Sequence, residues 1–372
     1  MIDLHIHSTA SDGSLTPAEI IDTASESGIT ALSLTDHDTI DGVKQILARG
    51  VQNGPAFVTG VEISCSLPPG CNREDSLHIL GYGFDVHNRR LNHTLEQLKQ
   101  ARADRNPKII RKLNDLGYDI CLEEVEKLST SGQTGRPHIA RVMVEKRIAD
   151  SFDHAFDEFL AKGQPAYVDK FRLSCREAIH AVHEAGGLAV LAHPGLIEPE
   201  RKETVETLLK ELASLGLDGI EVYYPEHSEK QVEHLEEIAE RLDLLVTGGT
   251  DFHGSFKQEI ELGTGHGDLN VPDALFDRLK CRLELVRGME TPLIYLENSL
   301  GYRFQKKDHL FTALCHSSFI NENTELNLSD NEKYEFIGDA VLGLSVGHLL
   351  MEQTKDMKEG ELSKSRATLV SE

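Results

Sequence analysis

Two histidines two residues apart lie close to the N-terminus. In IDLHIHSTASDG, residues 2–13, His5 and His7 share one face of an extended segment and Ile2, Leu4 and Ile6 the other, because strand side chains alternate. Asp12 sits in the Ser/Gly turn just beyond. Imidazoles and carboxylates recur further on: TDHD supplies Asp36, His37 and Asp38, GVEIS supplies Glu62, LHILGY supplies His78, and AHPG supplies His193. TDFHG supplies Asp251 and His253 at the same two-residue spacing as the first pair. Alone, an H-x-H pair is a weak metal signal. Together these groups match what metal ions require, and since one ion takes three or four protein ligands, nine point to two or three ions. Mixed imidazole and carboxylate donors without thiolate suit manganese, iron or zinc. Two such ions would supply a nucleophilic hydroxide at neutral pH and offset negative charge that develops on a substrate. Asp36 and Asp38 are expected to cap a helix or support ligands rather than bind metal.

The elements that must carry these groups alternate. Residues 17–28 read as a helix, with Thr16 as N-cap, Pro17 at its first position and Gly28 at its stop. ITALSLTDHD, PAFVTGVEISC and SLHILGYGFD read as strands. From residue 175 the order is helix CREAIHAVHEAGG, strand LAVLAHPG, helix ETVETLLKELASLG, strand DGIEVYY, helix EKQVEHLEEIAERL and strand DLLVTGGTDFHG. Such repetition predicts a parallel β/α architecture, and the absence of GxGxxG after the first strand favours a barrel over a dinucleotide-binding sheet. The candidate ligands then gather at the C-terminal ends of the strands, where barrel chemistry sits. Residues 90–163 carry long charged helical patterns and read as an insertion capping one mouth. Within it, GRPH places Arg136 and His138 where a helix begins; Arg suits a phosphate through paired hydrogen bonds, and equally a carboxylate of this acidic chain. His180 and His183, one turn apart on a helix, are expected at a surface or interface. METPLIYLENSLGYRF reads as a junction, and residues 293–372 are helical in pattern with no strand signal.

The chain of 372 residues has a formal charge of −24, and both parts of it are acidic. That excludes a global electrostatic footprint for long nucleic acid, so an anionic substrate needs local cations. No apolar run is long enough to span a bilayer, and the chain enters its first strand directly, so a cytoplasmic protein is expected. The six cysteines, 65, 71, 121, 175, 281 and 315, are scattered and read as reduced thiols.

The motifs DLHIHSTASDG, TDHD, GVEIS, LHILGY, AHPG and TGGTDFHG resemble those of the polymerase-and-histidinol-phosphatase (PHP) family over residues 1–288. The resemblance implies a distorted (β/α)7 barrel of metal-dependent phosphoesterases. It is strongest to bacterial enzymes that remove the 3′-phosphate of nucleoside 3′,5′-bisphosphates and trim short RNA from the 5′ end. It implies one ion on His5, His7, Glu62 and Asp251, a second on Asp12, His37 and His253, and a third on Glu62, His78 and His193; the imidazole and carboxylate donors make Mn2+ the expected metal. It also implies that Arg136 and His138 face the substrate phosphate.

In NEKYEFIGDAVLGLSVGHLL, Glu332, Glu335 and Asp339 are spaced by three and four, on one face of a helix. LGYRFQKKDHLFTALCHSSF, NEKYEFIGDAVL and LSKSRATLVSE resemble the first half of the ribonuclease III catalytic domain. That resemblance implies Mg2+ ligation by Glu335 and Asp339, with Glu332 near a dimer interface. The family's second acidic pair and its double-stranded-RNA-binding domain are missing, so no duplex-RNA cleavage is expected from this chain alone. Phe336, Val341 and Leu349 are expected to lack their usual partners. Four readings follow: a nucleotide or short-oligonucleotide phosphoesterase, a histidinol-phosphate-type phosphatase, a ribonuclease III-type RNA-processing endonuclease, and a C-terminal segment serving as a non-catalytic homodimerisation module.

Overall fold

The structure, a computed structural model, describes residues 1–50, 54–66, 77–128, 134–197, 205–300, 302, 304, 307–322, 329–354 and 357–370. Cys71 lies outside them. The chain divides into two compact units, Met1–Leu283 and Glu284–Glu372.

In the first unit, β1 (Ile2–Asp3) leads through α1 (Pro17–Glu26) to β2 (Ala31–Leu34), and α2 (Asp41–Arg49) leads to β3 (Ala56–Ser66) and β4 (Leu77–Tyr82). Thr16 and Glu19 close α1 reciprocally: the Glu19 amide donates to Thr16 Oγ1 and the Thr16 amide to Glu19 Oε2, above Pro17. The inserted helices are α3 (Arg89–Asp115), α4 (Leu122–Glu126), α5 (Arg136–Glu145) and α6 (Phe152–Ala155). They enclose their own apolar cluster around Ile109, Leu113, Ile139, Met143 and Leu160. The chain returns through β5 (Leu173–Ser174), α7 (Cys175–Glu184), β6 (Leu188–Leu191), α8 (Val205–Ser214), β7 (Gly219–Tyr223), α9 (Glu229–Leu242) and β8 (Leu245–Gly248).

The sheet path is β1-β2-β3-β4-β6-β7-β8, with β5 paired to β3. It is not wholly parallel: β4 runs antiparallel to both β3 and β6. Only ten residues separate β3 from β4, fewer than a parallel crossover needs. Where β1 and β8 end, the segments that continue them meet, as the His7 amide donates to Phe252 O at 2.9 Å and the Leu4 amide to Gly248 O at 3.2 Å. Gly249 permits this approach, because a Cβ there would stand 2.3 Å from the His5 nitrogen.

The rhythm also differs from expectation after Leu245–Gly248. A 28-residue helix, α10 (Asp273–Leu300), runs through most of the stretch that reads as a junction. In the second unit follow α11 (Lys307–Leu314), α12 (Ser317–Glu322), α13 (Glu332–Gln353) and α14 (Glu359–Val370), with no strand among the described residues. The apolar residues of α13 are not confined to one face, and Phe336 is 80% exposed, with Val341 and Leu349 also exposed.

Candidate metal centre

Strand ends of the first unit deliver nine side chains into one buried cage. Glu62 is at its centre, on β3. Its Oε2 faces His5 Nε2 at 3.4 Å, His7 Nε2 at 3.2 Å and His37 Nδ1 at 2.9 Å, while Oε1 faces His78 Nδ1 at 2.7 Å and His193 Nε2 at 3.4 Å. Asp251 Oδ1 approaches His7 Nε2 at 3.0 Å and His5 Nε2 at 3.4 Å. Asp12 lies between His7, His37 and His253 at 3.5–3.8 Å. Three groups result in which the potential ligand atoms all lie within 4.8 Å of one another. They are His5, His7, Glu62 and Asp251; His7, Asp12, His37 and His253; and His37, Glu62 and His78, with His193 beside the last on Glu62 Oε1.

Among the described residues several of these atoms are buried with no hydrogen-bond partner: His5 Nε2, both His7 ring nitrogens, Asp12 Oδ1 and Glu62 Oε2. Buried polar atoms are rarely left so, and these converge on common points, which fits metal ions. The electrostatics agree. Burial works against a charged His7, yet Asp251 and Glu62 more than offset it and raise His7 to about 10. Burial likewise opposes a charged Glu62, and the imidazoles of His37, His78 and His5 hold it well below the usual carboxylate range. The cage therefore favours bound positive charge. Three strand ends beside or within the cage carry left-handed backbone, at Asp38 (φ 56°), His193 (φ 34°) and Asp251 (φ 52°), a strain of the kind that gathers at functional sites.

Asp36 and Asp38 hold the loops rather than the cage. Asp36 accepts from the Ser8 amide and from the Ser8 and Ser11 hydroxyls at 2.7–2.8 Å. Asp38, fully buried, accepts from the Ser64 amide at 2.8 Å, from Arg102 Nε at 2.8 Å and from Lys170 Nζ at 3.0 Å. His180 and His183 stand apart on α7: His180 is exposed, and His183 pairs with Asp218 at 2.7 Å. Glu335 and Asp339 are exposed on α13, in the second unit.

A cavity of about 360 Å³ opens over the cage, a size suited to a small ligand. Its lining joins Asp12, His37, Glu62, His78, His193, Asp251 and His253 to six cations: Arg102, Arg105, Arg136, Lys170, Arg172 and Lys257. Arg136 begins α5, donates to Leu160 O at 3.2 Å and lies over the Phe156 ring. His138 is buried on the same helix and is not in the lining; its Nδ1 accepts from the Gly135 amide at 3.3 Å, closing the helix start. Arg105 is 4% exposed, and its Nε has no hydrogen-bond partner among the described residues. Burial, then Arg102, Arg136 and Arg172, lower it to about 9. Burial and Arg102 lower Lys170 to about 7, although Asp38 opposes the shift.

A model of the PHP domain matches residues 3–215, more than half of the chain. The chain belongs to the PHP family. A 3′,5′-nucleoside bisphosphate phosphatase of Chromobacterium violaceum is 32% identical over 253 residues, covering 68% of this chain and 87% of that protein. A 5′-3′ exoribonuclease of Haemophilus influenzae is 33% identical over 251 residues, covering 68% and 89%. Among solved structures, a Bifidobacterium adolescentis protein superposes with a TM-score of 0.66 at 30% identity, covering 75% of this chain and 95% of that one. This PHP protein is a metal-dependent phosphoesterase, a hydrolase. Residues 306–372 match a ribonuclease-III-like model. Over 77 residues a Ribonuclease 3 of Syntrophobacter fumaroxidans is 52% identical, across 21% of this chain and about a third of that protein.

Of the six cations only Arg136 stands out by motif in the sequence; the other five and Glu221 do not. Arg102 and Arg105 are three apart on α3, one turn of a helix, which was a visible signal. Glu221 interrupts the apolar strand GIEVY, an acid where a buried strand carries none without reason.

Proposed function

We propose that the barrel removes the 3′-phosphate of nucleoside 3′,5′-bisphosphates and trims short 5′-phosphorylated RNA. Arg105 carries this reading: a buried guanidinium whose Nε lacks a partner among the described residues, in a chain of net charge −24, calls for an anion. It shares its cavity with the cage. One phosphate would meet the metal ions and the other the wall of Arg102, Arg105, Lys170 and Arg172, a use for both sides that a singly phosphorylated substrate lacks. In the cage, His5, His7, Glu62 and Asp251 would hold one divalent ion, Asp12, His37 and His253 a second, and Glu62, His78 and His193 a third. Bound ions would supply the nucleophilic hydroxide and offset phosphoryl charge. Imidazole and carboxylate donors favour manganese, with iron or zinc as alternatives. Arg136 would reach the substrate phosphate, and His138 would support it by closing the start of α5.

The residues 293–372 offer exposed apolar side chains on α13, which favour a second copy of this chain as their cover; comparing the solution mass of the full chain with residues 1–300 tests that. No described helix is long and apolar enough to cross a membrane. The five described cysteines are free thiols, which supports a cytoplasmic site.

The test is phosphate release from adenosine 3′,5′-bisphosphate, 3′-AMP and histidinol phosphate at equal metal. The bisphosphate should lead by at least roughly tenfold in kcat/KM, the worth of one charge-assisted contact. Parity with 3′-AMP would remove the role of the wall, and preference for histidinol phosphate would reverse the assignment.

A further inference from the structure

Glu221 lies on β7 and is fully buried. Its two oxygens serve two different elements. Oε1 is 2.9 Å from His5 Nδ1, and Oε2 accepts the backbone N–H of His193 at 2.8 Å. An Nδ1–H on His5 pointing at a carboxylate leaves the Nε2 lone pair directed at Glu62 and Asp251, the tautomer a metal ligand needs. At His193 the requirement is conformational. Its backbone is left-handed, φ 34°, which a residue with a Cβ adopts at a cost. The turn is gripped from the strand beside it, because His227 Nε2 accepts the Gly195 amide at 3.0 Å while His227 Nδ1 donates to Val222 O at 2.8 Å.

We infer that Glu221 is a positioning residue shared by two metal positions, the one formed by His5, His7, Glu62 and Asp251 and the one formed by Glu62, His78 and His193. The inference rests on the metal placement proposed above. Both groups facing Glu221 are donors, so only a residue with two acceptor oxygens satisfies them together. A glutamine accepts from one and turns its NH2 toward the other. Either His5 then changes tautomer, placing its proton where the ion belongs, or the His193 turn relaxes. A methionine satisfies neither. The two oxygens of Glu221 are engaged by His5 and by the His193 turn, whereas Asp12, His37 and His253 come from other segments, so the position they form should not depend on it.

The experiment is equilibrium binding of Mn2+ to the full chain, counting bound ions and their affinities for wild type, Glu221→Gln, Glu221→Met and His193→Ala. Glu221→Gln should weaken one position by roughly 10- to 100-fold. Glu221→Met should weaken two, one more than His193→Ala, while the ion at Asp12, His37 and His253 stays bound and reports an intact fold. A Glu221→Met protein that weakens no more positions than His193→Ala overturns the inference. Where Glu221→Met does not fold, Glu221→Gln decides: wild-type number and affinity of ions overturns it. A wild type that binds no Mn2+ overturns the metal placement itself, and the inference with it.

Discussion

Two regions of this chain bring carboxylates together at spacings that suggest metal chemistry, and they differ in what surrounds them. In the barrel cage, Glu62 is buried among five imidazoles delivered by separate strands and loops. On α13, Glu335 and Asp339 share a helix face and are exposed, and among the described residues neither belongs to a convergent group of His, Asp and Glu. The difference is desolvation. Carboxylates in water are already well solvated and gain little from an ion, whereas buried, convergent donors with unmet hydrogen bonds gain much. Residue types and spacing are alike in kind, and the surroundings assign the chemistry to the barrel.

The largest expected effect that sharpens this contrast comes from Glu62→Gln. It should lower phosphate release by roughly 10³-fold, the several kcal/mol that metal-held charge supplies to the transition state. Retained turnover would mean that the cage is not the reacting centre. Next, Arg105→Met should raise KM for a 3′,5′-bisphosphate by roughly 10- to 100-fold, the worth of contacts to a charged group, with kcat for 3′-AMP changed little. Equal losses on both substrates would make Arg105 structural.

A smaller effect follows from Lys170. Buried beside Arg102 and lowered to about 7, it is charged below that pH and neutral above it. A substrate phosphate favours the charged form, so binding takes up protons, and KM for the bisphosphate should rise several-fold between pH 6.5 and 8.5. In Lys170→Met that slope should flatten; an unchanged slope would place the titrating group elsewhere. Smallest of all, the double substitution Glu335→Gln and Asp339→Asn should leave phosphate release within about twofold, as surface changes do. A large loss would tie the two units together chemically.

Much of the first unit was legible because its signals are periodic and local. Thr16, Pro17 and Glu19 announce α1, and strand alternation puts His5 and His7 on one face. The antiparallel β4 was harder, since LHILGY reads the same in either direction and only the short link to β3 gives it away. The candidate metal ligands stand in motifs at strand ends, where the pattern points to them. The cationic wall was not legible as a whole: Arg102, Lys170 and Arg172 are separated by the inserted helices, and only the folded chain brings Arg102 and Lys170 to Asp38. Glu221 shows the same limit, because a single buried acid carries no partner in its own neighbourhood of sequence. α10 misled in the opposite direction, by continuing where the β/α rhythm stops.

The most direct measurement is phosphate release from adenosine 3′,5′-bisphosphate with added Mn2+, comparing wild type with Asp251→Ala and confirming the fold of each by circular dichroism. Asp251 faces His5 and His7 through one oxygen, while the other takes Lys257 at 2.7 Å and Tyr224 at 3.1 Å. Metal-dependent turnover in the wild type that falls by roughly 10³-fold in a folded Asp251→Ala protein is the expected result. Turnover that survives in the variant, or that proceeds unchanged after the metal is chelated, would contradict the assignment of the chemistry to the cage.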